Sequence, residues 1–444
     1  MSAAPRRTVL TGALAGLLAG CGEGTWLGET PAPPLPGERK SVLLIEDELR
    51  ADPRLAELNV TLPPAVRNAA WPQSGGSATH AMEHLEAAET IAVAWRTDVG
   101  AGSGSRSRII AGPVVADGRV FAVDADGMAT AVDATNGRVL WQFTAENVER
   151  VDRLSGGAAA VADGRLYLAN GNGMVFAVDA ATGAEIWRRQ LKAPVRSAPT
   201  TIAGRVLTPT ADSQLFALEG STGDILWQHA GLFEQTGILG GASPAATNEL
   251  VIAPFASGEV VALTLDTGQQ IWNETVLRPR RTLAIGTMAD IVGDPVIAGG
   301  RVIVAGASGE MASFDLEQGS REWTAEVTSM QTPWVAGNFI YVLTERNEVV
   351  CMVDQGGRVR WVSPLGELVE PDNPDSSRIR WTAPVLVSGR LLLANSKSEV
   401  VSVSPFTGEI LSKADLAGPV TVPVAVADGT VYFLTDAAEL LAYR

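Results

Sequence analysis

The sequence predicts an all-β chain: an eight-bladed β-propeller of four-stranded antiparallel blades, the last blade closed by an N-terminal strand. Three observations predict it. A turn glycine stands four residues before a tryptophan position in seven successive copies. Short β-branched and apolar runs alternate with Gly turns, and no helix-length periodic segment interrupts them from about residue 88 onward. Four such strands in a unit of roughly 40–50 residues are the sequence signature of a propeller blade.

The elements follow in order. Residues 1–20 read as an export signal, with Arg6 and Arg7 before the apolar run Val9 to Gly20. The run is shorter than the ~20 residues a bilayer span needs and suits a signal h-region. Arg6-Arg7-Thr8-Val9-Leu10 also resembles a twin-arginine signal, so either export route is open. Leu18-Ala19-Gly20-Cys21 looks like the lipobox of bacterial lipoproteins, in which the cysteine is lipidated and begins the mature chain. Gly22 is not the aspartate associated with inner-membrane retention, which favours the outer membrane. Residues 21–40 carry the Pro-rich stretch Thr30 to Gly37, a tether that buries no core. Residues 41–87 read as an extension packing on the main body, with Pro53, Pro63 and Pro64 breaking any long element.

Residues 88–444 form the propeller. Asp133-Ala134-Thr135-Asn136-Gly137 precedes Trp141, Asp179 to Gly183 precedes Trp187, and Glu219 to Gly223 precedes Trp227. Later copies pair Gly268 with Trp272, Gly319 with Trp323, Gly357 with Trp361 and Gly408 with Ser412. The final unit, Pro419 to Arg444, lacks its Gly turn and Trp strand, whereas Thr90 to Arg96 is a Trp95 strand with no blade before it. The two halves complete one another and close the ring, which removes an exposed sheet edge.

Composition narrows the function. The 444 residues include 3 His and 2 Cys, too few for a disulfide framework or a thiolate zinc site. The formal charge of −16 becomes −18 once residues 1–20, carrying Arg6 and Arg7, are removed. With no polybasic stretch, nucleic acid is excluded as a partner. Anionic headgroups would repel such a body, so acyl chains must hold it at a membrane.

Other features have plain structural readings. The repeated Trp95, Trp141, Trp187, Trp227, Trp272, Trp323 and Trp361 are packing between neighbouring blades rather than a cofactor box. Asp133, Asp179, Glu219 and Asp315 are expected to hydrogen-bond their own turns. Asp124-Ala125-Asp126-Gly127 lacks the later ligands of a calcium loop, and His80 with His84 lacks a third metal ligand. Cys351 reads as a buried small hydrophobe. No catalytic constellation, phosphate loop, metal site or cofactor is predicted. Trp334 and Trp381, outside the repeated slot, are where an aromatic recognition surface would be sought.

The Asp-x-x-Thr-Gly-x-x-x-Trp pattern, as in Asp179 to Trp187, resembles the repeat of the pyrroloquinoline-quinone (PQQ) dehydrogenase propellers, shared by the BamB family of outer-membrane assembly lipoproteins. The lipobox, the blade count, Trp71 to Gly76 and Gly286 to Gly300 resemble the BamB family more closely than the enzymes. For the enzymes the resemblance implies an adjacent-cysteine disulfide and a calcium site, and Cys21 and Cys351 supply no such pair. The resemblance therefore implies a non-catalytic scaffold of the β-barrel assembly (BAM) machinery. It implies a lipid anchor in the outer membrane on its periplasmic face, the POTRA domains of BamA and the rest of the BAM complex as partners, and nascent outer-membrane proteins as a further possible ligand. A quinoprotein dehydrogenase and a propeller binding unfolded outer-membrane proteins directly are the alternatives. By the same resemblance, the loop with Met288 and Asp290 matches the family's acidic partner loop. The loop with Leu191, Lys192 and Arg196 matches its basic loop, with the arginine displaced.

Overall fold

Runs of Val, Ala, Leu and Phe separated by turns of two to five residues leave the chain little option but to fold back on itself. The computed structural model describes residues 49–88, 92–105, 107–145, 156–195, 197–234, 241–276, 290–373 and 375–444, all in the unit Leu49–Arg444. The signal, Cys21 and the Pro-rich tether lie outside the described residues.

Strand β1 (Val93–Asp98) precedes blade 1, which comprises β2 (Val114–Ala116), β3 (Arg119–Val123), β4 (Ala129–Asp133) and β5 (Val139–Phe143). Blades 2 to 7 repeat this order as β6–β9 (157–190), β10–β13 (200–230), β14–β17 (245–275), β18–β21 (296–325), β22–β25 (334–364) and β26–β29 (385–415). Blade 8 holds β30 (Ala425–Ala427), β31 (Thr430–Leu434) and β32 (Glu439–Tyr443), with β1 as its outermost strand. The eight-bladed architecture and its closure are thus as the sequence predicts. β1 pairs with β32 from Val93 opposite Tyr443 to Asp98 opposite Glu439.

Each outer strand carries a β-bulge one residue before the Trp slot. Trp141 lies opposite Ala131 and Val139 opposite Val132, which leaves Leu140 as the extra residue. The same shift occurs in all eight blades, the Ser412 copy included. A bulge breaks the two-residue alternation and re-aims the next side chain. In Glu185–Gln190 and Ile225–Ala230 the first two residues are exposed and the Trp after them is buried.

Each indole then lies on the turn glycine of the following blade. A Cβ built on Gly223 would stand 2.5 Å from Trp187, one on Gly183 2.7 Å from Trp141, and one on Gly268 2.6 Å from Trp227. Gly137, Gly319, Gly357 and Gly408 meet Trp95, Trp272, Trp323 and Trp361 in the same way. Six of these indoles also donate Nε1–H to a carbonyl of that turn: Trp95 to Ala134, Trp141 to Ala180, Trp187 to Gly220, Trp227 to Leu265, Trp272 to Leu316 and Trp361 to Pro405, at 2.8–3.2 Å. Trp323 is the exception, its Nε1 unpartnered. The turn it faces opens with Val353, where the other blades have Asp, Glu, Thr or Ser.

The turn carboxylates behave as expected. Asp179 accepts from the N–H groups of Ala181 and Thr182 and from the Thr182 hydroxyl, and Asp315 accepts from Glu317 and Gln318. The Thr182 hydroxyl holds the Asp179 carboxyl below the usual carboxylate range, and the Thr135 N–H does the same for Asp133. Salt bridges from the second strand reach the next blade's turn, Arg205 to Asp266 and Arg301 to Asp354, both at 2.7 Å.

Residues 66–88 run through the axis of the ring and bond to every blade. Trp71 exchanges two 2.8 Å hydrogen bonds with Val115 of blade 1, and the Pro72 carbonyl accepts from Val161 of blade 2. Gln73 Oε1 accepts from Thr201 N–H of blade 3 at 2.7 Å. The carbonyls of Ala78 and Thr79 accept from Ala246 and Ile297 of blades 4 and 5. The Glu83 carbonyl accepts from the Trp334 indole of blade 6. Leu85 bonds to Leu386 and Ser388 of blade 7, and Asn68 to Asp428 and Val426 of blade 8. The innermost strand of each sheet would otherwise face the axis with unpaired backbone groups; the strap bonds backbone groups of seven blades and, at blade 6, the Trp334 indole.

Gly223→Ala and Gly204→Ala separate the inter-blade contact from backbone strain, because both glycines sit near φ +74° but only Gly223 faces an indole. Gly204→Ala is expected to cost about 1–2 kcal/mol from its left-handed backbone, and Gly223→Ala a further ~1–3 kcal/mol from overpacking, measured by denaturant unfolding. Asp179 contributes one share of the pH dependence. Its stabilisation is complete above the ordinary carboxylate pKa and is lost as the pH falls through its lowered value. Asp179→Ala is therefore expected to flatten the acid limb of a pH–melting profile.

Candidate functional site

Consecutive antiparallel strands place the second-to-third-strand turns and the blade-to-blade connections on one face of the ring, the loop face. On the opposite face the turns are uniform, such as 117–118, 163–164 and 203–204. On the loop face the connections vary: 326–333 has 8 residues and 365–384 has 20. Both expected partner loops are on this variable face.

The structure corrects two of the expected contact residues. Leu191 is buried, its N–H donating to the Gly173 carbonyl at 2.8 Å. It belongs to a ring-wide series four residues after the Trp slot: Val99, Ala145, Leu191, Gly231, Val276, Val327, Leu365 and Leu416. Six of these side chains are buried, closing the end of each blade, and Ala145 is partly buried. Asp290 is 1% exposed and its carbonyl accepts from Ala307 N–H at 3.1 Å. It anchors its loop to blade 5 instead of presenting a charge to solvent. Lys192 is exposed as a contact residue should be, whereas Arg196 and Met288 lie outside the described residues.

The neighbouring Asp294, which the sequence did not single out, joins the strap to three blades. Its Oδ2 accepts from Ser74 Oγ at 2.6 Å, its Oδ1 from Ser243 N–H at 2.7 Å, and its own N–H donates to Thr332 Oγ1. Trp334 and Trp381 are not exposed on the surface. Trp334 is buried and stacks on Trp71 at 6.3 Å and 12°, and Trp381 is 4% exposed at the wall of a cavity of about 500 Å³ between blades 6 and 7. His80 and His84 are not on a helix: His80 has φ +58°. Gly389 N–H donates to His84 Nε2, so Nδ1 carries the proton and donates to the Pro63 carbonyl at 2.7 Å. Asp124 accepts from Asp126, Met128 and Ala101 N–H groups, as a turn cap does.

A quinone cofactor in this type of ring would need a site on the axis. The strap leaves a cavity of about 230 Å³ there, floored by Trp71, Gln73, Ser74 and Gly75, and Asp294 is the one charged residue among its described lining residues. PQQ carries three carboxylates, and among the described residues no lysine or arginine lines this cavity to receive them. The residues present do not fit it. Cys351, the free cysteine among the described residues, is buried with its thiol pKa pushed up by desolvation, far from reactive-thiol behaviour.

The sequence model of the family described as "Outer membrane protein assembly factor BamB" matches residues 84–152, 145–363 and 352–444, nearly the whole propeller. The chain belongs to the BamB family. It is 26% identical over 359 residues to the BamB of Yersinia pestis, covering 77% of this chain and 88% of that one. It is also 26% identical to Escherichia coli BamB over 401 residues, covering 78% and 89%. The Vibrio cholerae BamB is 36% identical over 251 residues, covering 56% and 64%. Among solved structures, Moraxella catarrhalis BamB superposes with a TM-score of 0.67 at 20% identity, over 80% of this chain and 100% of that one. The quinohemoprotein alcohol dehydrogenase of Comamonas testosteroni reaches 0.63 at 13% identity, over 85% and 81%, a likeness of fold alone. Membership of the BamB family makes the protein an outer membrane protein assembly factor, not an enzyme.

The burial of Asp290 sets a test. Asp290→Arg forces a bulky cation into a closed site and is expected to cost about 3–5 kcal/mol, seen as a lowered melting temperature. Lys192→Glu, on an exposed side chain, is expected to leave the melting temperature within about 1 °C of wild type.

Proposed function

We propose that the protein is a periplasm-facing scaffold of the BAM machinery, held in the outer membrane by lipid on Cys21, whose loop face binds the POTRA domains of BamA. The observation that carries this reading is the strap crossing the axis. With the strap bonded to all eight blades, the ring offers a partner its loop face, where connection lengths vary most. Rigid buried strands beneath those loops hold them in fixed positions, which lowers the entropy cost of docking. The acidic body and the Pro-rich tether fit this role. The acyl chains supply attachment, and the tether of residues 21–40 lets the ring reach a partner beside the membrane.

Affinity purification of the full-length lipoprotein from detergent-solubilised outer membranes is expected to recover BamA and the other BAM subunits, and Cys21→Ala is expected to leave the ring in the soluble periplasmic fraction. Recovery of unfolded outer-membrane protein from cells depleted of BamA, with none of the BAM subunits recovered when BamA is present, would assign the loop face to substrate instead.

A further inference from the structure

We infer that Leu232 and Phe233 are the hydrophobic anchor of a protein interface on the loop face at the junction of blades 3 and 4, and that the surface received there is a folded domain with an apolar cleft edged by basic side chains. The inference rests on the loop-face reading above and names the residues and the partner chemistry of that face.

The ring-wide series four residues after the Trp slot is broken in blade 3. There Gly231 stands where the other blades have Val, Leu or Ala, and its N–H still donates to the second-to-third-strand turn, at Ser213 O, 2.8 Å. The space of the missing side chain is taken by blade 4: a Cβ on Gly231 would lie 2.6 Å from the Phe255 ring. Phe255 is itself an exception. It opens its turn where Asp124, Asn170, Thr210, Thr344, Asn395 and Thr435 open those of six other blades and Gly306 that of blade 5. The paired change fills the cap from the neighbouring blade, and the next two residues, outward here as at Lys192, Gly366 and Ala417, are large and apolar only in this blade among the described residues.

Leu232 and Phe233 are each 64% exposed. Two adjacent large apolar side chains in water gain nothing for the fold of a ring whose blade end is already closed, and such exposure marks interaction surfaces. The pair is also held in place. The Leu232 N–H donates to Glu259 Oε2 at 2.7 Å, and that buried carboxylate is fixed by Ser257 Oγ at 3.0 Å and Asn273 Nδ2 at 3.0 Å. With its backbone anchored at Leu232, the apolar pair has the character of an interface hot spot, because less ordering entropy is lost when it docks. Two acidic side chains are placed beside it, Glu234 exposed next in the chain and Asp212 on the turn whose Ser213 carbonyl accepts from Gly231, in a protein of net charge −16. An apolar cleft with a basic edge is the complement of that surface. An unfolded chain would not present such an edge in fixed geometry.

The test uses the full-length lipoprotein in cells, with a photo-crosslinking amino acid at position 233, and the L232S/F233S double variant beside wild type. The expected result is a crosslink to a POTRA domain of BamA at an apolar site flanked by lysine or arginine. L232S/F233S is expected to lower BamA co-purification at least tenfold at unchanged melting temperature, F233W to retain it, and E234K to weaken it less and in a salt-dependent way. Wild-type recovery of BamA by the double variant overturns the anchor while leaving the loop-face reading in place. A crosslink to unfolded outer-membrane protein, or no crosslink, overturns the partner chemistry. Failure of wild type itself to recover BamA is the separate failure of the loop-face reading.

Discussion

The contact on which the ring depends is an indole lying on a glycine. Eight twisted sheets close into a circle only if neighbours meet at one spacing, and here that spacing is set where each outer-strand Trp touches the next blade's turn. The bulge before the Trp aims the ring, the glycine permits the approach, and the Nε1–H bond fixes the tilt in six of seven cases. The contact also explains where the repeat fails. Ser412 occupies the Trp slot of β29, and the blade it would face has no turn between its third and fourth strands, because Tyr443 and Val93 come together there from different parts of the chain. Without a turn there is no glycine to cover, and β29 is exposed from Ile410 to Asp415. On the other side of that closed blade, Arg444 donates to the carbonyls of Ala134 and Thr135 of blade 1, beside the Trp95 indole bonded to the same Ala134 carbonyl.

Closing the perimeter leaves a second requirement at the axis. Each first strand pairs with its neighbour on one side and has nothing from its own sheet on the other. In water a short polar edge is tolerable, but in a narrow ring eight such edges converge, and their N–H and C=O groups need partners. One strap supplies them by visiting every blade within about twenty residues. It can do so because it is irregular. Positive φ angles at Gly75, Gly76, His80 and Glu83 turn it from blade to blade where a strand or helix would have run straight. The cost is close packing: a Cβ on Gly75 would stand 2.8 Å from His80, and one on Gly76 2.9 Å from Met82 and Trp71.

The perimeter was legible in the sequence and the axis was not. The Trp slot, its turn glycine and the carboxylate before it recur at fixed spacing, so one copy explains the next, and the unmatched Trp95 strand and Trp-less last unit point directly to closure. The strap recurs nowhere. Most of its bonds are made by backbone, which any residue provides, so Trp71 to Leu85 leaves little periodic trace. Leu191 and Asp290 were misread as contact residues for a related reason. Leu191 resembled a contact residue when its loop was read alone, but aligned beside Val99, Val276, Val327, Leu365 and Leu416 it is a capping position, and that column was available from the repeat. The burial of Asp290 depends on Ala307 and the strap packing around its loop, which no local spacing encodes.

The same ring carries quinoprotein dehydrogenases and assembly factors, so the fold does not choose between them. The choice lies in what occupies the axis and in which blades depart from the repeat. In this chain the axis is crossed by its own backbone, with Asp294 spent on binding Ser74 and Ser243 rather than a cofactor. Binding chemistry is thereby displaced to the rim. There a repeat gives a physical criterion for function: seven blades show what stability alone requires at a position, and the eighth can be compared with them. Gly231 and Phe255 preserve the closed end of blade 3 by other means, so the outward turn of Leu232 and Phe233 is not needed to close it. In a repeat protein, apolar exposure that the fold does not need is where a partner's contribution to the free energy is to be found.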